Sequence, residues 1–329
     1  MPVYNGAKYL HEAIKSILDQ SFMDFEFLII NDGSTDDSEK IILSFKDPRI
    51  VFIKNESNMG LINSLNKGLK IAKGNYIARM DADDVALPQR LELQVKEFES
   101  DPKAIAVGSD YFLLTEKRTS LKKNKNNSDY QKAVLFFSPC FCHPTVMMKN
   151  IFAEKNLLYK KDYVHAEDYK LWTDLAFFGE FRNVAVPLLK YRSHATQISN
   201  QNHATQLAIS EKIRKEYCDQ LKFKLTDEQF AILNLIGNNV FVTSIKTLNE
   251  IEVFLLNLKE QNKKNKAFNE NSFNLFLHKF WFDSCGYSNL GLAAYSLYSR
   301  SMLSKVTKVT LDKKSKLLTK CLIRKFRKA

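Results

Sequence analysis

Cysteine is scarce in this sequence and follows no pattern. Cys140, Cys142, Cys218, Cys285 and Cys321 are odd in number and irregularly spaced, which argues against a disulfide framework and points to reduced thiols in a cytosolic protein. Cys140, Cys142 and His143 are half of a zinc-ligand pattern, but no second pair follows, so the thiols are read as buried apolar groups. Long apolar runs are missing too. Nothing approaches the ~20 residues that span a bilayer, and the start of the chain has no charged-then-apolar secretory signal. Acid is in deficit: 49 Lys and Arg stand against 37 Asp and Glu, a net charge of +12. That balance favours an anionic partner such as nucleic acid, a membrane surface or a phosphorylated substrate. Nucleic acid is set aside, because the bases gather in a tail and no aromatic residues interleave with them as a stacking platform requires. What remains suits a folded chain of about two domains, with 329 residues of which 45% are hydrophobic.

The most informative stretch is Tyr76-Ile77-Ala78-Arg79-Met80-Asp81-Ala82-Asp83-Asp84. It begins as an apolar strand and ends in closely packed carboxylates. Such groups repel one another and are tolerated when water solvates them or a hard cation neutralises them. Open α/β sheets bind ligands at this strand edge. One reading is therefore a divalent cation holding a phosphorylated ligand. The other is a solvated turn in which Asp84 caps the helix that follows Pro88.

The flanking sequence supplies a frame. Leu10, Ala13, Ile14 and Ile17 predict a helix, and 25–30 reads as a buried strand running into Asn31-Asp32-Gly33-Ser34-Thr35-Asp36-Asp37. A helix through Ile41, Ile42 and Phe45, a strand at 50–53 and a helix at 61–72 ended by Gly74 follow. This alternation predicts a parallel sheet with right-handed crossovers. Further strand-type runs lie at 104–114, 143–148 and 184–189. The Lys-, Asn- and Ser-rich stretch 117–129 reads as a solvated loop or hairpin tip, with contact to an anionic acceptor as its alternative. Glu167-Asp168 open a helix over 169–176, where the backbone N–H groups stabilise negative charge. A plain N-cap is the structural alternative for Asp168.

Near residue 200 the pattern changes, glycine thins, and helical periods dominate at 208–221, 227–235, 240–258, 272–282 and 290–304. Thr226 to Gln229 resembles a helix start. The segment 305–329 carries ten Lys or Arg against the single acid Asp312, with Leu311, Leu317, Leu318, Cys321, Leu322 and Phe326 interleaved. Helical spacing predicts an apolar stripe on a basic surface, which suits anionic lipid.

Pro2-Val3-Tyr4-Asn5, Asn31-Asp32-Gly33-Ser34-Thr35-Asp36, Asp81-Ala82-Asp83-Asp84 and Glu167-Asp168 occur in that order, with Tyr191-Arg192-Ser193-His194 behind them. The ordered set resembles the family-two glycosyltransferases with the GT-A fold, over roughly residues 1–200. The resemblance implies an α/β GT-A domain at 1–200, a Rossmann-like, mostly parallel sheet flanked by helices. A helical region at 201–304 and a basic amphipathic tail at 305–329 would follow. It implies inverting transfer of a sugar from a nucleotide-diphospho-sugar, usually a UDP-sugar, to an acceptor hydroxyl. The implied setting is bacterial surface polysaccharide synthesis (capsule, O-antigen or lipooligosaccharide). The acceptor would be a glycan or lipid-linked sugar at the inner face of the cytoplasmic membrane, with 305–329 against the anionic lipid.

The resemblance also implies roles. Asp32 matches the carboxylate that binds the uracil edge, Pro2 and Tyr4 match base contacts, and Asn5 belongs to the same donor loop. Asp81 matches the acid facing ribose and metal, and Asp83 the metal-binding acid. His194 resembles a further metal ligand, for Mn²⁺ or Mg²⁺, with a surface hydrogen-bonding role as its alternative. Asp168 matches the catalytic base. Glu167 would orient the loop or bind acceptor hydroxyls. Arg79 and Lys67 would balance phosphate charge. Trp172 is read as core, with sugar stacking as the alternative.

One departure stands out. Relatives place a hydrophobic strand ahead of the Pro-Val-Tyr-Asn loop, in the middle of the sheet, and Met1 here takes its last position. Either the true start lies upstream or the product lacks a central strand. Losing such a strand should exceed a net stability of only ~5–15 kcal/mol, which favours an upstream start. The alternative to an enzyme is a truncated or non-catalytic nucleotide-sugar or glycan-binding relative.

Overall fold

The computed structural model describes residues 1–194, 202–305 and 311–326, without the side chains of 311–314 and 323–326. The chain divides into two compact units, Met1–Ser128 with Pro139–Ile209, and Asp129–Ser138 with Ser210–Ala329.

In the first unit, apolar runs and helical periods build β1 (Pro2–Val3), α1 (Ala7–Leu18), β2 (Phe27–Asn31), α2 (Ser38–Ser44), β3 (Ile50–Lys54) and α3 (Leu61–Ile71). The strands pair in the order β1-β2-β3, all parallel, as the alternation predicts. Leu10, Ala13, Ile14 and Ile17 of α1 are buried in one cluster with Val3, Phe27, Ile29 and Ile42. This face fixes the loops that leave β1 and β2.

The acid-bearing strand β4 (Tyr76–Ala78) does not join that sheet. It pairs antiparallel with β8 (Met147–Lys149) in a second sheet, of order β4-β8-β6-β9-β5, where β5 is Val85–Ala86, β6 Ala104–Leu114 and β9 Glu180–Arg192. β6 and β9 run parallel, whereas β8 and β5 are antiparallel to their neighbours. The second sheet is therefore mixed. A continuous apolar run reports burial on both faces of a strand and carries no record of its direction. The helix α4 (Arg90–Ser100) covers Val107 and Met147 with Leu91 and Phe98, and α6 (Glu167–Leu175) carries the Glu167-Asp168 pair.

Several local expectations shift. The stretch 117–129 takes the hairpin alternative, with Thr119–Lys122 forming β7 antiparallel to β6, and α5 (Ser128–Val134) begins at its end. His143–Thr145 is a single 3-10 turn with Pro144 inside it, so the strand expected at 143–148 shortens to β8. The helix expected from 240 begins later, as α9 (Ile245–Asn265), because Ser244 caps it by accepting from the Thr247 N–H.

The second unit is helical. α7 (His203–Gln220), α8 (Asp227–Gly237), α9, α10 (Glu270–Tyr287), α11 (Leu292–Arg300) and α12 (Leu311–Phe326) follow in order. Thr226 forms a reciprocal capping box with Gln229. Phe136, Phe137, Phe223, Phe254, Phe273, Phe276 and Trp281 form the core. The stripe of α12 is partly turned inward: Leu317 and Cys321 are fully buried in that core, while Leu322 is 37% exposed. Burial against helices satisfies the same apolar period that lipid would, so the pattern alone does not choose between them. Leu311 and Phe326 lie outside the described side chains. No described helix is long and apolar enough to cross a membrane.

Candidate active site

The loop after β1 and the loop after β2 are joined by short polar side chains. Asn5 N–H donates to Ser34 Oγ (3.0 Å), Gly6 N–H to Ser38 Oγ (3.0 Å) and Ala7 N–H to Asp36 Oδ2 (3.0 Å). Asn5 Oδ1 accepts from the Thr35 N–H at 2.9 Å and from its hydroxyl at 3.3 Å. Burial pulls the Asp36 carboxyl upward, but the Ser38 and Ala7 hydrogen bonds outweigh it and hold it below its ordinary value. Asn5 thus has a loop-to-loop role, its amide oxygen already engaged. Tyr4 is 49% exposed beside it.

Asp32 is buried and organises the next loop. Its Oδ1 accepts from Asn55 Nδ2 (2.7 Å) and the Met59 N–H (3.0 Å), and its Oδ2 from the Gly60 N–H (2.9 Å). A carboxylate offers about four acceptor positions, so one remains on Oδ2. Gly33 holds a φ of 72°, and a Cβ there would lie 2.5 Å from the Ser57 carbonyl carbon. Only glycine permits this approach of two backbones. Lys67 donates to Asn55 Oδ1 (2.7 Å) and so supports the same loop.

The acids after β4 converge. Asp81, Asp83 and Asp84 each bring an oxygen within 4.8 Å of the others. Arg79 is buried and ion-paired to Asp81. Burial lifts the Asp81 carboxyl, Arg79 opposes it, and Asp83 adds to the rise. Asp84 is fully buried and pushed well above the carboxylate range by burial, then by Asp81 and Asp83. It does not cap the next helix: Oδ1 accepts from the Arg192 N–H (2.8 Å) and Oδ2 has no hydrogen-bond partner. An orphaned oxygen among mutually repelling carboxylates fits a hard divalent cation. His194 Nε2 lies 2.8 Å from Asp83 Oδ2, which places an imidazole at the cluster's edge.

Sequence reasoning overlooked Arg192 as a site residue, although its motif was in view. Besides Asp84, its Nε donates to the Asp83 carbonyl (2.7 Å) and its Nη2 to Glu12 (2.6 Å). The end of β9 is thereby stitched to the acid turn. Arg90 was also missed. It is fully buried and donates to the Arg79 carbonyl (2.6 Å). An arginine in an otherwise apolar helical period was the available signal.

Asp168 sits in the first turn of α6, where Ala166 is the N-cap and makes no side-chain bond. Asp168 Oδ1 accepts from the Tyr169 N–H (2.7 Å). Burial, then the neighbouring Glu167, pushes its carboxyl up to about 7, against the pull of Arg79. Glu167 is likewise raised by burial. Arg79 acts electrostatically on Asp81, Glu167 and Asp168 alike, so the acid turn and the α6 pair share one field. His165, just ahead, has a φ of 71°, a strained setting for a residue with a Cβ. Tyr159 OH and His143 Nε2 meet at 2.7 Å, and burial holds that imidazole neutral. Trp172 is fully buried, edge-on to Phe141 and His143, so it is core and unavailable for stacking on a sugar.

Comparison with known proteins sets this geometry in context. The profile of glycosyl transferase family 2 matches residues 1–157. An uncharacterized glycosyltransferase of Haemophilus influenzae is 34% identical over 277 residues, 80% of this chain and 80% of that one. The UDP-Glc:alpha-D-GlcNAc-diphosphoundecaprenol beta-1,3-glucosyltransferase WfaP of Escherichia coli is 30% identical over 197 residues, 60% of this chain and 76% of its own. Among solved structures, S. aureus TarS 1-349 in complex with UDP-GlcNAc superposes with a TM-score of 0.59 at 14% identity, covering 99% of this chain and 90% of that one. At that identity the likeness speaks for the fold alone. The class is a glycosyltransferase built on the GT-A fold with a helical C-terminal region. This chain belongs to glycosyl transferase family 2.

Proposed function

We propose that the chain is an inverting glycosyltransferase that moves a sugar from a UDP-sugar to an acceptor hydroxyl in surface polysaccharide synthesis. The observation that carries the reading is Asp168, a half-buried carboxyl pushed up to about 7 and electrostatically linked through Arg79 to the acid turn. A general base works best with a pKa near the operating pH. Asp168 takes the proton of the acceptor hydroxyl as that oxygen bonds to the anomeric carbon. The bond from that carbon to the diphosphate breaks on the opposite face, and the nucleoside diphosphate leaves with the electron pair.

Pro2 and Tyr4 would wall the base, and the open position on Asp32 Oδ2 would accept from it. Asp81, Asp83 and His194 would hold a divalent cation, with imidazole favouring Mn²⁺ over Mg²⁺. Such an ion supplies charge neutralisation on the leaving diphosphate. The relative WfaP, whose name specifies a UDP-glucose donor and a diphosphoundecaprenol-linked acceptor, supports a lipid-linked sugar as acceptor here. Work at a membrane surface would then draw on the exposed Lys316 and Lys320 of α12 more than on its apolar stripe.

The test is nucleoside diphosphate release from UDP-glucose, UDP-N-acetylglucosamine and GDP-mannose with Mn²⁺ and a lipid-linked acceptor extract. Asp168→Asn should slow release about 10²–10⁴-fold while UDP still binds. Release unchanged in both Asp168→Asn and Asp83→Asn would refute catalysis at this site and favour a binding module.

A further inference from the structure

The excess positive charge of the chain is not shared out. Residues 210–329 hold 22 Lys and Arg against 11 Asp and Glu, so they carry +11 of the net +12. In the same helical unit, one surface region is apolar where connecting segments are ordinarily polar. Residues 238–245, which run from the end of α8 into α9, contain no charged side chain. Asn239, with a φ of 54°, turns the chain out of α8. Its N–H and that of Val240 donate back to the Ile236 and Leu235 carbonyls (3.0 and 3.1 Å). Val240 and Phe241 then lie 54% and 63% exposed. Val242 turns inward to the core, and its carbonyl accepts from the Asn289 N–H (3.3 Å). The tip is anchored on both sides of Phe241, so the exposure of that ring belongs to the fold and not to a frayed end.

The bond to Asn289 brings the tip against the turn between α10 and α11, where Tyr287 and Leu292 are again exposed, as is Ile245 at the start of α9. Cations border the same turn. A Cβ on Gly286 would meet Leu317 Cδ1 at 3.0 Å, so glycine there lets α12 lie close to the end of α10. Lys320 Nζ consequently sits 4.8 Å over the Tyr287 ring. Lys316 is exposed one helical turn earlier. Lys246 follows Ile245 and pairs loosely with Glu250 (4.0 Å).

An apolar patch on its own names no occupant, but its border does. A second copy of the chain would bring the same lysines and the same positive charge, which repel. A bilayer with anionic lipid offers phosphates to the lysines and an acyl boundary to Val240, Phe241 and Leu292. Tyr287, with an apolar ring and a polar tip, suits the level between the two.

We propose that this surface, with Val240 and Phe241 at its tip and Ile245, Tyr287 and Leu292 around it, docks on an anionic phospholipid bilayer. The tip enters the boundary between headgroups and acyl chains, and Lys246, Lys316 and Lys320 lie at the phosphates. The docking face rests on the membrane-surface reading above for its setting, and adds to it an apolar tip that lysines alone do not supply.

The full chain, with neither donor nor acceptor, is sedimented with vesicles of phosphatidylcholine and of phosphatidylcholine with about one-third phosphatidylglycerol. The wild-type chain should bind the anionic vesicles, and Val240→Ser with Phe241→Ser should weaken that binding about tenfold or more. Lys316→Gln with Lys320→Gln should weaken it about 10–30-fold, a difference that added salt removes. Leu275→Ser, exposed in the first half of α10, should change nothing. Trp172 and Trp281 are fully buried, so Phe241→Trp reports on the tip. Its emission should shift to the blue on vesicles and be quenched by lipids brominated in the acyl chain. Equal binding by the double-serine variant, or an indole at the tip that stays unquenched on bound protein, overturns the proposal in favour of charge alone. No binding of the wild-type chain to either vesicle overturns it too. So does a wild-type dimer in solution that the double-serine variant dissociates, which would assign the tip to a second copy. Docking and catalysis fail separately: vesicle binding without sugar transfer keeps the docking face and sinks the enzyme, whereas transfer to a detergent-dispersed acceptor without vesicle binding does the reverse.

Discussion

Asp168→Asn should make the folded chain more stable above neutral pH while it slows transfer about 10²–10⁴-fold. Burial and Glu167 raise the Asp168 carboxyl from 3.8 to about 7. At 1.36 kcal/mol per pKa unit, about three units place a ceiling of roughly 4 kcal/mol on the penalty of ionising it in the fold. The sign follows from proton counts. Between pH 4 and 7 the folded chain keeps a proton that the unfolded chain has released, so stability falls as pH rises through that window and stays low above it. Asparagine cannot ionise, and its Oδ1 can still accept from the Tyr169 N–H. The advantage of the variant should therefore grow by about 2–3 kcal/mol between pH 5 and pH 8. Urea unfolding of both proteins at the two pH values measures this difference directly. An advantage that does not change with pH, or a variant less stable at pH 8, would refute the reasoning. The same ionisation should set the acid limb of activity near pH 7. Glu167→Gln, which removes a like charge, should move that limb lower.

Three further outcomes are expected. Saturating Mn²⁺ with UDP, at ~100 times the dissociation constant, should stabilise the wild-type chain by about 2.7 kcal/mol, and Asp83→Asn should remove the metal-dependent part of the thermal shift. Gly33→Ala should lose about 1–3 kcal/mol from its left-handed backbone alone. The clash with Ser57 adds to that loss, and UDP binding by calorimetry should weaken in parallel. In the helical unit, Arg214 is buried and donates to the Phe137 carbonyl and to Asn234 and Asn238. Arg214→Met should cost about 1–3 kcal/mol for each acceptor left unpaired, read as a lower urea midpoint with donor binding unchanged.

The sequence was most legible where chemistry restricts residue choice. Three acids at a strand end, an Asp ahead of a forced glycine, and a carboxylate pair opening a helix each imply a local structure, and their order implied the fold. Strand direction was not legible. Tyr76 to Ala78 looks like Phe27 to Ile30 in composition, yet one strand is antiparallel to its neighbour and the other parallel. Polar residues whose partners are distant in sequence were misjudged for a related reason. Asn5 is engaged with Thr35, and Arg192 bridges Asp84 and Glu12. Their types are common on surfaces, and only the tertiary register gives them work. The α12 stripe shows the converse limit, since an apolar period records that a face is covered and leaves open by what.

The five hydrogen bonds that join Asn5, Gly6 and Ala7 to Ser34, Thr35, Asp36 and Ser38 have an evolutionary consequence. They set the spacing of the two walls proposed to hold the base, yet Asn5, Ser34, Thr35 and Asp36 are loop side chains, Ser38 is the first residue of α2, and none belongs to the buried face of α1. Exchanging serine for threonine or aspartate for asparagine there would shift one wall against the other by fractions of an ångström. The packed face beneath would remain as it is. Substrate preference in such an arrangement can drift in small steps, each nearly neutral for folding. A lineage could thus acquire new donors without first passing through an unstable ancestor.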